Sequence, residues 1–175
     1  RENLDLKIKL NSIFKDSSIN YYKGEYKIKI ADIVSNSIKY SKNFLIINKG
    51  YNDSVKLDDG LITNEGIVGI INQVSPKYST AISILNSDLK INAKIKRTNH
   101  FGSLQWKGKN HKTMTLYDIP KSANIKINDS VVSGGMSFIF QENIPIGKIK
   151  NINLKENSNY FIIDVELFED FSSLR

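Results

Sequence analysis

The 175-residue chain contains no cysteine, which excludes a disulfide framework, a thiol nucleophile and any zinc site built on thiolates. No run approaches the roughly 18 consecutive apolar residues that a spanning helix requires, and no signal-peptide pattern is visible. Arginine is scarce. Only Arg1, Arg97 and Arg175 stand among 25 basic residues, which outweigh 18 acidic ones to give a formal charge of +7. The guanidinium fork, rather than the lysine ammonium, suits bidentate phosphate and base recognition, so this charge is a weak argument for reading a nucleic-acid sequence. Histidine is confined to His100 and His111, in a polar loop-like region with no acid between Asp88 and Asp118. A metal site there would need distant carboxylates, so the expectation is surface histidines, no metal and no cofactor. Neither a G-x-x-x-x-G-K-[ST] loop nor a G-x-G-x-x-G fingerprint is present.

With 40% hydrophobic and 25% charged residues the chain nonetheless has the composition of a folded protein. Period-two alternation dominates it. Tyr26, Ile28 and Ile30 alternate with Lys27 and Lys29; Ile91, Ala93 and Ile95 with Lys90, Lys94 and Lys96; Ile125 and Ile127 flank Lys126; and Phe161, Ile163, Val165 and Leu167 close the series. Such spacing predicts half-buried strands with lysines facing water. Between them lie β-branched runs at 44–47, 67–71 and 81–85, bounded by turn residues such as Asp58-Asp59-Gly60, Asn86-Ser87-Asp88 and Ser133-Gly134-Gly135. About a dozen short strands with turns this frequent predict an all-β sandwich or barrel.

A weak internal repeat sharpens that reading. Residues 65–74 align with 143–152 when Gly69 is set on Gly147, and each copy follows a strand and a glycine turn (55–60 and 131–135). A glycine inside a strand marks a bulge or a corner where a barrel bends. The expectation is two small barrels, 26–96 and 97–175, with strand exchange between them possible. They are preceded by a helix and linker over 1–25. In that helix Asn3, Leu6, Leu10 and Ile13 alternate in spacing as a and d positions would. This fits either a coiled-coil seam or a short amphipathic helix packed on its own domain.

Two chemistries could use these elements. A double-barrel serine protease needs a base in its first barrel, and no histidine precedes His100; the Ser133-Gly134-Gly135 run reads instead as a turn with positive-φ glycines. For nucleic acid the best segment is 90–112, with Lys90, Lys94, Lys96, Arg97, Lys107, Lys109 and Lys112 interleaved with Phe101 and Trp106. That pattern can track a single strand and stack its bases. Equally, it can be a lysine-covered solvated face with Trp106 filling a barrel end.

Several motifs, taken in order, resemble the rod shape-determining protein MreC family over about 26–167. They are Ala31-Asp32-Ile33-Val34, Ile46-Ile47-Asn48-Lys49-Gly50 with Asn52-Asp53, Gly66-Ile67-Val68-Gly69, Gly102-Ser103-Leu104-Gln105-Trp106, Asp129-Ser130-Val131-Val132-Ser133-Gly134 and Ile144-Pro145-Ile146-Gly147-Lys148-Ile149. The Gly102–Trp106 piece is most similar to Bacteroidota versions. Departures fall at turns: Ser54 and Asn128 stand where the family commonly has glycine, and Gln141 where it has proline. The resemblance implies a non-enzymatic scaffold of cell-wall elongation on the periplasmic side of the inner membrane, anchored by a span outside this chain. It implies a coiled-coil helix leading into two six-stranded barrels, with Gly50, Gly66, Gly69, Gly102, Gly134 and Gly147 as structural turn or bulge glycines. Implied partners are a class B penicillin-binding transpeptidase, MreD, the actin-like MreB indirectly or through an N-terminal part missing here, and further copies of itself as dimer or filament, but no nucleic acid. For the partner surface, exposed apolar residues near the barrel junction are expected to outweigh the lysines. The alternative is a nucleic-acid-binding barrel using the 90–112 segment.

Overall fold

Alternation of apolar and polar side chains organises the described residues into strands. The computed structural model describes residues 28–154 and 158–174. Its strands are β1 (Ile33–Asn36), β2 (Lys42–Ile47), β3 (Gly60–Ile62), β4 (Ile67–Val74), β5 (Ser79–Asn86), β6 (Lys90–Ile95), β7 (Phe101–Gln105), β8 (Thr113–Pro120), β9 (Ser130–Ser133), β10 (Pro145–Leu154) and β11 (Tyr160–Leu167). They form a 5-stranded sheet ordered β1-β2-β5-β4-β3 and a closed barrel ordered β10-β11-β8-β7-β6-β9. Every pairing is antiparallel. The all-β expectation holds, and the second unit is a six-stranded barrel.

Two expectations are corrected, the place where the units divide and the strands expected around Ile28 and Ile125. The sheets part at the 87–89 turn rather than after 96, so Lys90–Ile95 belongs to the closed barrel, where β6 bonds β7 and β9. The first unit is an open sheet among the described residues, with β1 and β3 at its edges. Neither Ile28 and Ile30 nor Ile125 and Ile127 lie in strands; Ile28, Ile30 and Ile127 are exposed. The helix with Asn3, Leu6, Leu10 and Ile13, and Tyr26, lie outside the described residues.

The internal repeat is realised register by register. Sheet order β1-β2-β5-β4-β3 matches β7-β8-β11-β10-β9. Leu61 opposes Gly69 as Val131 opposes Gly147. Ala81 opposes Ile71 as Val165 opposes Ile149, and both ladders shift register directly afterwards, before Gln73 and Asn151. The turns match too, though 56–60 corresponds to 126–130 rather than to 131–135. Lys56 N donates to Asp59 Oδ2 at 2.9 Å and Lys126 N to Asp129 Oδ2 at 2.8 Å. Asp58 (φ 66) and Asn128 (φ 69) take the left-handed conformation in the two turns. Asp and Asn accept that region more readily than other side chains, so both turns form without a glycine at this position. Ser54 likewise sits at φ 62. Only β6, which closes the barrel, lacks a counterpart among the described residues.

One apolar cluster runs through both units, from Leu45, Ile67 and Ile84 to Leu104, Leu116, Ile149 and Val165. The seam is closed by Phe140 packed against Gly60, by the Thr63 hydroxyl on Glu169, and by Asn36 Nδ2 donating to Phe171 O at 2.7 Å.

Candidate functional site

The basic residues of 90–112 do not form one exposed surface. Lys94 is 5% exposed, because β6 turns it toward the β9–β10 connection. There its ammonium meets Glu142, donates to Asn99 Oδ1 at 2.9 Å and lies 5.7 Å from the Phe101 ring centroid. Burial of an ammonium requires such compensation. Arg97 is committed to a two-pronged contact, Nε on Asp129 Oδ1 at 2.8 Å and Nη2 on Asp129 Oδ2 at 2.7 Å. The Lys107 ammonium sits 4.8 Å from the centre of the Tyr117 ring. Lys90, Lys96, Lys109 and Lys112 are exposed. Trp106, the ring a single strand would need for stacking, is 3% exposed and donates Nε1–H to Asn110 O at 2.8 Å. It fills the barrel end, and the nucleic-acid reading loses its best feature.

No group of three or more His, Asp or Glu side chains that could hold a metal occurs among the described residues. Ser133 is buried; its hydroxyl donates to Gln141 O and accepts Ile144 N–H at 2.8 Å, so it ties down a loop. The glycine run beside it mixes two needs. Gly135 has φ 75, whereas Gly134 does not have positive φ and is small because Asn92 lies against it. Gly50 and Gly102 are close-approach positions against Ser75 O and Tyr117 O, and Gly66 (φ 147) lies against Pro145 O.

The Arg97 guanidinium, and less so the Lys126 N–H, hold the Asp129 carboxyl below the usual carboxylate range despite its partial burial. A carboxylate whose folded pKa lies below its unfolded value adds stability above the unfolded pKa and loses it as pH falls through the folded one. Urea midpoints of the parent are therefore expected to fall on acidification below about pH 4, and Asp129→Asn to lose part of that pH dependence. Equal pH dependence in both proteins counts against this assignment.

The most exposed large apolar side chain among the described residues lies elsewhere, in a feature that sequence reasoning did not single out. The β9–β10 connection, 134–144, carries Met136 at 67% and Phe138 at 103% exposure, while Phe140 two residues on is buried. The signal available in the sequence was an apolar cluster, Met136-Ser137-Phe138-Ile139-Phe140, directly after a glycine pair.

Comparison with known proteins places this architecture. Residues 33–175 match the family described as rod shape-determining protein MreC, barrel core. The cell shape-determining protein MreC of Haemophilus influenzae is 25% identical over 173 residues, covering 93% of this chain and 43% of that protein. The Listeria monocytogenes MreC is 28% identical over 155 residues, 87% of this chain and 50% of that one. The chain thus spans half or less of the length of these curated relatives. Among solved structures, MreC from Pseudomonas aeruginosa shares the fold at a TM-score of 0.78 and 18% identity, over 86% of this chain and 96% of that one. A structure described as the major periplasmic domain of the cell shape-determining filament MreC gives 0.66 at 19%, over 81% and 90%. A complex between penicillin-binding protein PBP2 and MreC from Helicobacter pylori gives 0.59 at 18%, over 78% and 83%. With the family match covering both the open sheet and the closed barrel, the chain belongs to the rod shape-determining protein MreC family.

Proposed function

We propose that this chain is a non-enzymatic scaffold of cell-wall elongation on the periplasmic side of the inner membrane, and that it binds a class B penicillin-binding transpeptidase. The observation that carries the reading is the shared fold with the MreC of the PBP2–MreC complex. The described side chains agree with it: Ser133, Asp129, Lys94 and Glu142 are engaged in holding turns and loops together. Membrane anchorage outside this chain, coupling to MreD and MreB, and self-association through Asn3, Leu6, Leu10 and Ile13 belong to the same proposal. So does a second six-stranded barrel in the first unit, supported by the match of its open sheet to all of the closed barrel but β6.

Binding to the purified periplasmic part of the organism's own penicillin-binding transpeptidase tests the reading. With the chain immobilised, saturable binding at micromolar or lower concentration is expected. Absence of saturable binding in that range overturns it.

A further inference from the structure

The internal repeat breaks at the β9–β10 connection. Its counterpart between β3 and β4 is the tight turn 63–66, closed by Thr63 N–H on Gly66 O at 2.8 Å; between β9 and β10 the chain instead takes 134–144. This insert is braced at both ends. Ser133 N–H donates to Ile144 O at 2.9 Å, Asn143 N–H to Ser133 O at 3.0 Å and Gly134 N–H to Asn92 O at 3.1 Å. The Ser133 hydroxyl bridges Gln141 O and Ile144 N–H, and Glu142 takes the buried Lys94 ammonium. Phe140, 6% exposed, plugs the seam beside Gly60. Phe138 stands between these fixed points with its ring wholly in solvent. Met136 is beside it, its sulfur 3.5 Å from Asn92 Nδ2.

A large ring held in water by a loop anchored on both sides is partly preorganised for a partner, because the ends of the loop need no ordering on binding. We propose that Met136 and Phe138 are the apolar anchor by which this chain docks into a cleft of the penicillin-binding transpeptidase; this rests on the reading above and adds the surface that makes the contact. A lipid surface fits less well. Segments that insert at an anionic interface set Lys or Arg beside their aromatic residues, whereas 134–144 contains none and carries Glu142. A second copy fits less well too, since it would have to offer an apolar cleft. Two concavities beside the barrel, about 320 and 310 Å³, are open and bordered by polar residues such as Lys90, Asn92, Asp118 and Arg97.

Phe138→Ser, Phe138→Leu and, as a control on an exposed apolar residue of β1, Val34→Ser separate the possibilities in the binding measurement above, with the 175-residue chain. Phe138→Ser is expected to weaken transpeptidase binding roughly tenfold or more, Phe138→Leu far less, and Val34→Ser not at all. Thermal midpoints should be unchanged, because the Phe138 ring is already in water. If the parent binds and Phe138→Ser binds within about twofold of it, the surface is wrong while the scaffold reading stands. Failure of the parent to bind removes both. Dependence on Phe138 that appears instead in phosphatidylglycerol vesicle binding or in sedimentation of the chain alone, with transpeptidase binding untouched, also overturns the proposal.

Discussion

Gly147→Ala is expected to lower the unfolding free energy by about 3 kcal/mol, equivalent to a fall of roughly 6–12 °C in Tm. In the interior of β10, Gly147 opposes Leu167 of β11 on one side and Val131 of β9 on the other. A Cβ there would run into the Glu166 carbonyl oxygen and approach Val165 Cγ1 to 2.9 Å. The oxygen belongs to backbone bonded into the barrel ladder, so it cannot swing aside as a side chain would. Register shifts on both sides, at Pro145/Gly147 and Ile149/Asn151, show β10 already bending where the sheet curls closed. The repeat supplies an internal comparison. At Gly69 the same atom would meet Ile82 O at 2.7 Å and the flexible Leu45 Cδ1 at 3.2 Å, a milder obstruction. Gly69→Ala should therefore cost less, about 1–2 kcal/mol. Urea titrations followed by Trp106 fluorescence measure both. A Gly147→Ala protein within about 0.5 kcal/mol of the parent, or a larger loss at Gly69, contradicts the steric account.

That Gly147 could be singled out from the sequence, while Phe138 could not, follows from the range of the forces involved. Strands β2, β4, β5, β6 and β11 are legible because β-branched alternation is a local property and the pleat turns every second residue inward. Ile125-Lys126-Ile127 has the same alternation but no strand; Asn128 in the left-handed region and Asp129 accepting Lys126 N–H turn the chain there first. Lys94 looks in sequence like its neighbours Lys90 and Lys96. Its burial depends on Glu142, 48 residues away. The unit boundary is hidden in the sequence for a similar reason, since the 87–89 turn resembles the other turns and only long-range pairing assigns β6 to the barrel. Phe138 and Phe140 have the same side chain in one loop, yet only Phe140 finds a cavity, beside Gly60 of the other unit. Trp106 is the converse: one large ring in a small barrel has few places to go, and it lies inside.

Phe171→Ala should be the most damaging single truncation, at about 3–5 kcal/mol, against total stabilities of about 5–15 kcal/mol for natural domains. Phe171 is fully buried although it lies beyond the last strand, in a segment without hydrophobic period. A turn puts it there. Asp170 Oδ1 accepts Ser172 N–H at 3.0 Å, and Asp170 O accepts Ser173 N–H at 3.1 Å, folding the chain back after β11. The Phe171 carbonyl then accepts Asn36 Nδ2 at 2.7 Å from β1, so the chain leaving the barrel is fastened to the open sheet. Loss of the ring removes apolar burial and opens a cavity that a barrel and a sheet, each held by its own ladder, cannot collapse to fill. Phe171→Leu, which keeps most of the volume, should cost less than half as much. Asn36→Ala, which removes one hydrogen bond and leaves the ring, should cost about 1 kcal/mol. If the ring couples the two units, Phe171→Ala will also broaden the urea transition or split it in two, whereas Asn36→Ala will shift it at constant slope. A Phe171→Ala protein that unfolds in one transition at the parent's midpoint would show that the two units are held together without this residue.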